Sequence, residues 1–268
     1  MRIAAGVEYD GSAFCGWQYQ EHSPNVQAVV EKALGKVANH PVRVMCAGRT
    51  DSGVHAAGQV IHFDTDAVRS EFSWVRGSNS NLPPGVRLLW TREMDETFHA
   101  RFRAQRRYYR YVIFNRPIHS ACLHKRVSWE YRPLELPPMQ QAARHLLGEH
   151  DFSAYRAVAC QAKSPVRTLY QLDLRQQGPF IIMDLSANAF LHHMVRNIAG
   201  VLMRIGAGEA EPDWARQVLE LRDRTLAGVT APPDGLYFTR VDYPAQFELP
   251  GGADNPGAGG VFDFFSVI

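Results

Sequence analysis

A chain of 268 residues suits one large domain or two modest ones, and 46% apolar with 21% charged residues is a globular composition rather than a disordered one. The net charge of +2 excludes no class of partner, but no run approaches the roughly 20 apolar residues of a membrane helix, and the opening MRIAAGVEYDGS does not read as a signal peptide. Cys15, Cys46, Cys122 and Cys160 form no CxxC pair, so neither a zinc site nor a disulfide framework is expected, and a reducing cytoplasm is the expected compartment.

In chain order, Ile3, Ala5, Val7 and Tyr9 alternate and predict a strand. Ser23 as N-cap and Pro24 at the first helical position predict a helix, with Val26, Val29, Val30, Ala33, Leu34 and Val37 on one face. VRVMCA after Pro41 reads as a second strand, GRTDSGVHAAG as a loop, QVIHFDT as a third strand, and residues 86–92 as a fourth. The second half repeats a similar order. YYRYVIF is a predicted strand, and Met139, Ala142, Ala143, Leu146 and Leu147 predict a helix ended by Gly148. Val166 to Leu174 and FIIMDLSA are predicted strands joined by a Gly178-Pro179 turn. Met194, Val195, Ile198, Val201, Leu202 and Ile205 predict one helix, residues 213–221 a shorter one, and GLYFTRV a last strand.

The expected fold is therefore α/β (α+β): two ferredoxin-like or RRM-like halves with a largely antiparallel central sheet, helices outside, and a cleft between the halves. The expected division is 1–105, 106–244 and an irregular Gly/Pro-rich tail over 245–268.

Two segments carry chemistry. Arg101, Arg103, Arg106, Arg107 and Arg110 are interleaved with Phe102, Tyr108, Tyr109 and Tyr111, and the chain has 25 arginines against four lysines. Guanidinium groups neutralise phosphates and aromatic faces stack on bases, which suits RNA; a solvated strand face is the bland alternative. Gly48-Arg49-Thr50-Asp51-Ser52-Gly53-Val54-His55 lies between two predicted strands. Its glycines permit a tight loop that presents the Asp51 carboxylate, with Arg49 and the loop amides nearby to keep it ionised. Asp-Ser-Gly is also ordinary turn chemistry. No lysine follows the glycines, so the loop is not a P-loop. His192 and His193 are adjacent on a predicted helix and would not share a face, so no metal is expected.

AGRTDSGVHAAGQVIHF resembles the signature loop of the tRNA pseudouridine synthase A family. EYDGSAFCGWQ, NLPPGV, FHARFRAQRRYYRY, DFSAYR, HHMVRNIAGVLMRIGAG, and DGLYF followed by VDYP also resemble family segments, in the family's order from about Val7 to Pro244. Ser52 and Ser80 stand where the family usually has alanine, and neither touches the implied chemistry. The resemblance implies a cofactor-independent isomerase that converts uridine to pseudouridine in the anticodon stem-loop of tRNA, at positions 38, 39 and 40. It further implies a homodimer in which one tRNA contacts both copies.

The resemblance makes Asp51 the essential carboxylate and Arg196 its pairing arginine. Tyr109 becomes the residue that stacks on the uracil, and Asn188 and Phe190 line the cleft. Isomerisation consumes no water, redox equivalent or phosphate, so one carboxylate suffices where a glycosidase commonly needs two. Asp51 attacks the sugar, attacks the base, or removes a ribose proton; the sequence leaves all three open. A uridine in a stem must leave the stack to react, which costs a few kcal/mol, and stacking on an aromatic side chain recovers about 1–3 kcal/mol. One rival reading is a non-catalytic RNA-binding protein of the same fold, which would have no need of Asp51; another is a hydrolase using Asp51 with His55, which would need a nucleophile or second acid that the sequence does not offer.

Overall fold

The computed structural model describes residues 1–250, in two compact units: Met1–Gln105 with residues 238–250, and Arg106–Tyr237. The part of the expected tail from residue 251 on lies outside the described residues.

In the first unit, strand β1 (Arg2–Tyr9) pairs antiparallel with both β3 (His55–Asp64) and β4 (Val86–Met94), with Ala5 opposite Ile61 on one side and Thr91 on the other. Helix α1 (Val26–Ala38) buries Val26, Val30, Ala33 and Leu34, the face its sequence spacing predicts. Its N-cap is Asn25 rather than Ser23: the Asn25 side chain accepts the Ala28 N–H at 2.9 Å, and the Pro24 carbonyl is taken by the Cys15 N–H at 2.7 Å. Asparagine caps as well as serine, and that tertiary bond holds Pro24 outside the helix. Of VRVMCA only Met45–Cys46 is strand, β2, paired with β3. A helix not expected from the sequence, α2 (Glu71–Asn79), is capped by the Ser70 hydroxyl and seats Trp74 5.2 Å from the Phe63 ring. Residues 245–247 form a 3-10 turn that brings the buried Phe247 ring 5.2 Å from Phe98, beside Tyr243.

In the second unit, β5 (Arg106–Asn115) pairs antiparallel with β9 (Phe180–Ala187) and parallel with the short β6 (Ser128–Glu130). β9 pairs with β8 (Val166–Gln177), and β8 with β7 (Gly148–Asp151), both antiparallel. Helix α3 spans Leu136–Arg144, so Leu146 and Leu147 lie beyond it. Gly148 is not its terminator: with φ of 97° it opens β7, after successive turn bonds to Ala142, Ala143 and Arg144 have already closed the helix. Helix α4 (Met194–Gly206) is buried on most sides, and α5 (Trp214–Leu221) is amphipathic with Ala215, Val218 and Leu219 inward. β10 (Leu236–Asp242) starts in the second unit and from Phe238 lies with the first, beside β3. The architecture is mixed α/β; β1–β3, β1–β4, β2–β3, β5–β9, β7–β8 and β8–β9 pair antiparallel and β5–β6 parallel.

Candidate active site

Asp51 sits between β2 and β3, and backbone bonds staple its loop to residues 14–17. Trp17 N–H donates to the Thr50 carbonyl at 3.0 Å, Gly53 N–H to the Phe14 carbonyl at 3.2 Å, and Val54 N–H back to the Asp51 carbonyl at 3.2 Å. Gln59 reaches up from β3 and exchanges bonds with Gly48, its amide donating to the Gly48 carbonyl at 2.6 Å. Beneath the loop, the buried Tyr9 and Thr50 hydroxyls are 2.8 Å apart, and burial pushes the Tyr9 phenol well above its ordinary pKa, so it remains a neutral hydroxyl. His55, also buried, accepts the Gly11 N–H at Nδ1 at 3.1 Å, with the Asp10 carboxylate 3.2 Å from the same nitrogen.

This closeness requires glycine. A Cβ on Gly11 would lie 1.9 Å from the Val54 carbonyl oxygen, and one on Gly16, which also has φ of 91°, would lie 2.8 Å from that of Thr50. Asp51 itself is half-buried, Arg49 and Ser52 are exposed, and the Ser52 hydroxyl donates to the Phe14 carbonyl at 3.4 Å. The loop therefore holds a carboxylate at a set place and partly out of water, which is what a nucleophile or base requires.

In the second unit, strand alternation on β5 turns Tyr109 inward, 9% exposed, and Tyr108 to the other face. The Phe190 ring stands edge-on to Tyr109 at 4.9 Å and 78°. Asn188 lies next to them: its Oδ1 accepts the Thr168 and Ala189 N–H groups at 3.1 and 2.8 Å, and its carbonyl accepts an Arg107 N–H at 2.7 Å. Tyr109, Phe190, Asn188 and Arg107 are thus one cluster, an aromatic surface whose flank is fixed by polar bonds.

Arg196 is half-buried in the first turn of α4. Its Nε donates to the Ala231 carbonyl at 2.8 Å, and the Ala231 N–H returns a bond to the Arg196 carbonyl at 3.1 Å. The chain at Val229 can lie this close to the helix because residue 200 is glycine; a Cβ there would be 1.8 Å from the Val229 carbonyl oxygen. Asn197, fully buried, donates to the Tyr155 carbonyl at 2.8 Å and accepts from Thr230 at 2.7 Å and Arg224 at 3.0 Å, which locks the helix start. His192 and His193 precede α4, with His193 in the left-handed region at φ of 62°, and their rings are 4.1 Å apart. The helical-face argument against their acting together does not apply, because neither lies within the helix.

The arginine run is split between roles. Arg101 and Arg103 are exposed on the turn before β5, Arg103 donating to the Thr97 carbonyl at 3.0 Å. Arg106 lies 4.3 Å over the Tyr170 ring, and Arg110 holds Asp184 through two bonds of 2.6 and 3.1 Å. Reading the residues alone missed the supports Tyr9, Trp17, Thr50 and Asn197. The signal for the last was a lone amide inside the apolar pattern of MVRNIAGV.

Comparison with known proteins bears on both clusters. The tRNA pseudouridine synthase family matches residues 5–103 and 142–244, which include the Asp51 loop, Asn188, Phe190 and Arg196. The tRNA pseudouridine synthase A of Nitrosococcus oceani is 58% identical over 93% of this chain and 96% of its own. That of Coxiella burnetii is 54% identical over 93% and 95%, and that of Pseudomonas aeruginosa 56% identical over 93% and 88%. Among solved structures, one from a Cbf5–Nop10–Gar1 complex gives a TM-score of 0.36 at 10% identity, over 88% of this chain and 48% of that one, too low to establish a common fold. Identity above one half along nearly the whole length, with the loop and the α4 segment inside the matched regions, makes this chain a member of the tRNA pseudouridine synthase A family.

Proposed function

We propose that Asp51 is the carboxylate through which this enzyme isomerises uridine to pseudouridine in tRNA. The observation that carries the assignment is a half-buried aspartate on a loop whose backbone is bonded on both sides to residues 14–17, in a chain of this family. The reaction breaks the bond from C1′ to N1, turns the uracil and joins C1′ to C5; the proton leaving C5 is balanced by one gained at N1. Tyr109 offers a stacking face to the displaced uracil, and Phe190 and Asn188 hold that face in place. Arg196 is assigned as the guanidinium that pairs with the carboxylate and orients it; the Nε bond to Ala231 supports this by fixing the guanidinium plane. Arg49 and the exposed Arg101 and Arg103 are assigned to RNA phosphates, with Arg106 and Arg107 contributing to the local field, while the charge of Arg110 is taken by Asp184. The targets are uridines 38, 39 and 40 of the anticodon stem-loop, and the working form is a cytoplasmic homodimer without metal or cofactor.

Mapping pseudouridine in tRNA after reaction with wild-type protein and Asp51→Asn tests the assignment. The expected result is conversion at those positions by the wild type, none by the variant, and tRNA affinity within a few-fold. Turnover by purified Asp51→Asn would falsify the role of Asp51. The neighbouring rings of His192 and His193 make prolonged chelation a necessary companion test. The rate is expected to be unchanged, and a fall in rate restored by zinc, with tRNA structure intact, would overturn the metal-free reading.

A further inference from the structure

Residues 224–231 form a strap that lies against the start of α4 and is held there by polar bonds. Its sequence is RTLAGVTA, and its two large apolar residues are left to water, Leu226 55% and Val229 84% exposed. Arg224 reaches back along the strap. Its Nη1 donates to the Gly228 carbonyl at 2.9 Å, and its Nη2 to the Thr230 hydroxyl at 2.8 Å and to Asn197 Oδ1 at 3.0 Å. The Thr230 hydroxyl donates to the same Asn197 oxygen at 2.7 Å. Asn197 is fully buried, with its amide anchored on the Tyr155 carbonyl at 2.8 Å.

Arginine is a demanding choice for this place. Arg224 is half-buried, and the carbonyl, hydroxyl and amide that accept its bonds are all neutral. The adjacent acid, Asp223, is turned instead to the Thr225 N–H and hydroxyl at 2.8 and 2.7 Å. Desolvation accordingly lowers the pKa of Arg224 from its ordinary value. Taking a guanidinium out of water without an opposing charge is unfavourable. What it supplies here is geometry, a planar fork that reaches three acceptors at once.

The residue after Thr230 shows what that geometry serves. The Ala231 carbonyl takes the Arg196 Nε–H at 2.8 Å, and the Ala231 N–H returns to the Arg196 carbonyl at 3.1 Å. Two neighbouring pairs are therefore tied side by side, 196 to 231 and 197 to 230. A peptide whose neighbour is bonded on both sides cannot turn, and a fully satisfied polar network of this kind is rigid. We infer that Arg224 is a positioning residue for Arg196: by clamping Thr230 onto Asn197 it fixes the Ala231 carbonyl, and that carbonyl sets the plane of the Arg196 guanidinium. The inference rests on Arg196 acting in the isomerisation.

The test is the single-turnover rate on unmodified tRNA for Arg224→Gln, alone and combined with Arg196→Lys, with tRNA affinity and thermal melting measured for each. Lysine at 196 keeps the charge and has no Nε to be aimed. Arg224→Gln alone should lower the rate about tenfold to a hundredfold, the scale of an ångström-sized misplacement, with tRNA affinity unchanged. In the Arg196→Lys background the same substitution should change the rate no further, because the group it positions is gone. A general loosening of the fold would slow both backgrounds by the same factor; that result, or a wild-type rate in folded Arg224→Gln, overturns the inference. Should Arg224→Gln fail to fold, Thr230→Val removes the middle of the network and carries the same expectation, with Thr230→Ser restoring the rate. If Arg196→Lys leaves no rate to compare, solvent exchange of the Arg196 Nε proton decides: it should quicken in Arg224→Gln, and unchanged exchange overturns the inference. A wild-type rate in Arg196→Lys alone marks a different failure, that of the role assigned to Arg196. A slow Arg196→Lys beside a wild-type Arg224→Gln leaves that role standing and removes only the positioning residue.

Discussion

Asp51 and Tyr109 are held in opposite ways. The aspartate loop is placed by what is missing: Gly11 and Gly16 have no side chain, so two loops close on each other through backbone bonds. The tyrosine is placed by what is present: a strand paired with β9, the edge of Phe190, and the amide of Asn188 beside it. The first arrangement fixes a small charged group closely but tolerates no added atom. The second tolerates small changes, because a sheet position and a packed ring survive the removal of one polar atom.

The largest expected effect follows from the glycine side. In Gly11→Ala the new methyl meets Val54 backbone at 1.9 and 2.5 Å, and backbone cannot rotate away as a side chain would. Displacement of the Asp51 loop should destabilise the protein by at least about 3 kcal/mol and lower kcat about a hundredfold. Thermal melting and single-turnover rates measure both, and wild-type values in a folded Gly11→Ala protein would break the comparison. On the tyrosine side, Tyr109→Ala should cost about 2–3 kcal/mol of stability, while Tyr109→Phe keeps the Phe190 contact and near-wild-type stability. A Phe variant as unstable as the Ala variant would show that the hydroxyl, not the ring, holds the site.

A smaller effect is expected from Tyr9→Phe, which removes one buried hydroxyl pair under the loop. It should cost about 1 kcal/mol and a few-fold in kcat, and an unaltered kcat would separate loop stability from loop alignment. The smallest effect is nil at neutral pH and grows with acid. His62 Nδ1 accepts the Ala100 N–H at 3.1 Å, and burial, with His99 and Arg2 nearby, lowers its pKa to about 4 from an ordinary 6.5. The fold thus favours neutral His62: its contribution is complete above pH 6.5 and disappears as pH falls through about 4. Hydrogen exchange at the Ala100 amide should accelerate between pH 6.5 and 4 after correction for intrinsic rates, with the Tyr109 amide unaffected, and His62→Asn should remove that pH dependence.

β8, α4 and α5 were legible in the sequence because their burial follows period 2 or 3.6, and β1 and β9, buried on both faces, were legible as apolar strands. α2 was not, because EFSWVRGSN offers one large buried residue, Trp74, and otherwise polar or exposed positions. β6 and β7 are short strands whose existence depends on the partners β5 and β8. The same distinction runs through the candidate site. Asp51 and Tyr109 stood out by resemblance, whereas the bonds from Trp17 to Thr50 and from Gly53 to Phe14 join segments more than thirty residues apart and leave no periodic trace. Arg110 shows the converse limit: its charge counts toward a basic run in the sequence, yet in the fold it is committed to Asp184.

The return of the chain to the first unit at Phe238 has a consequence for synthesis. About 130 residues are made between Gln105 and Phe238, roughly 7–26 s at about 5–20 residues per second. Throughout that interval the stretch of β3 around Gly58 lacks the Thr239 backbone that later lies against it, and Phe98 lacks Phe247. An unpaired strand edge is open to other chains. β3 begins at His55, directly after the aspartate loop, so the nascent enzyme completes the support of its candidate catalytic group only when nearly the whole polypeptide has been made.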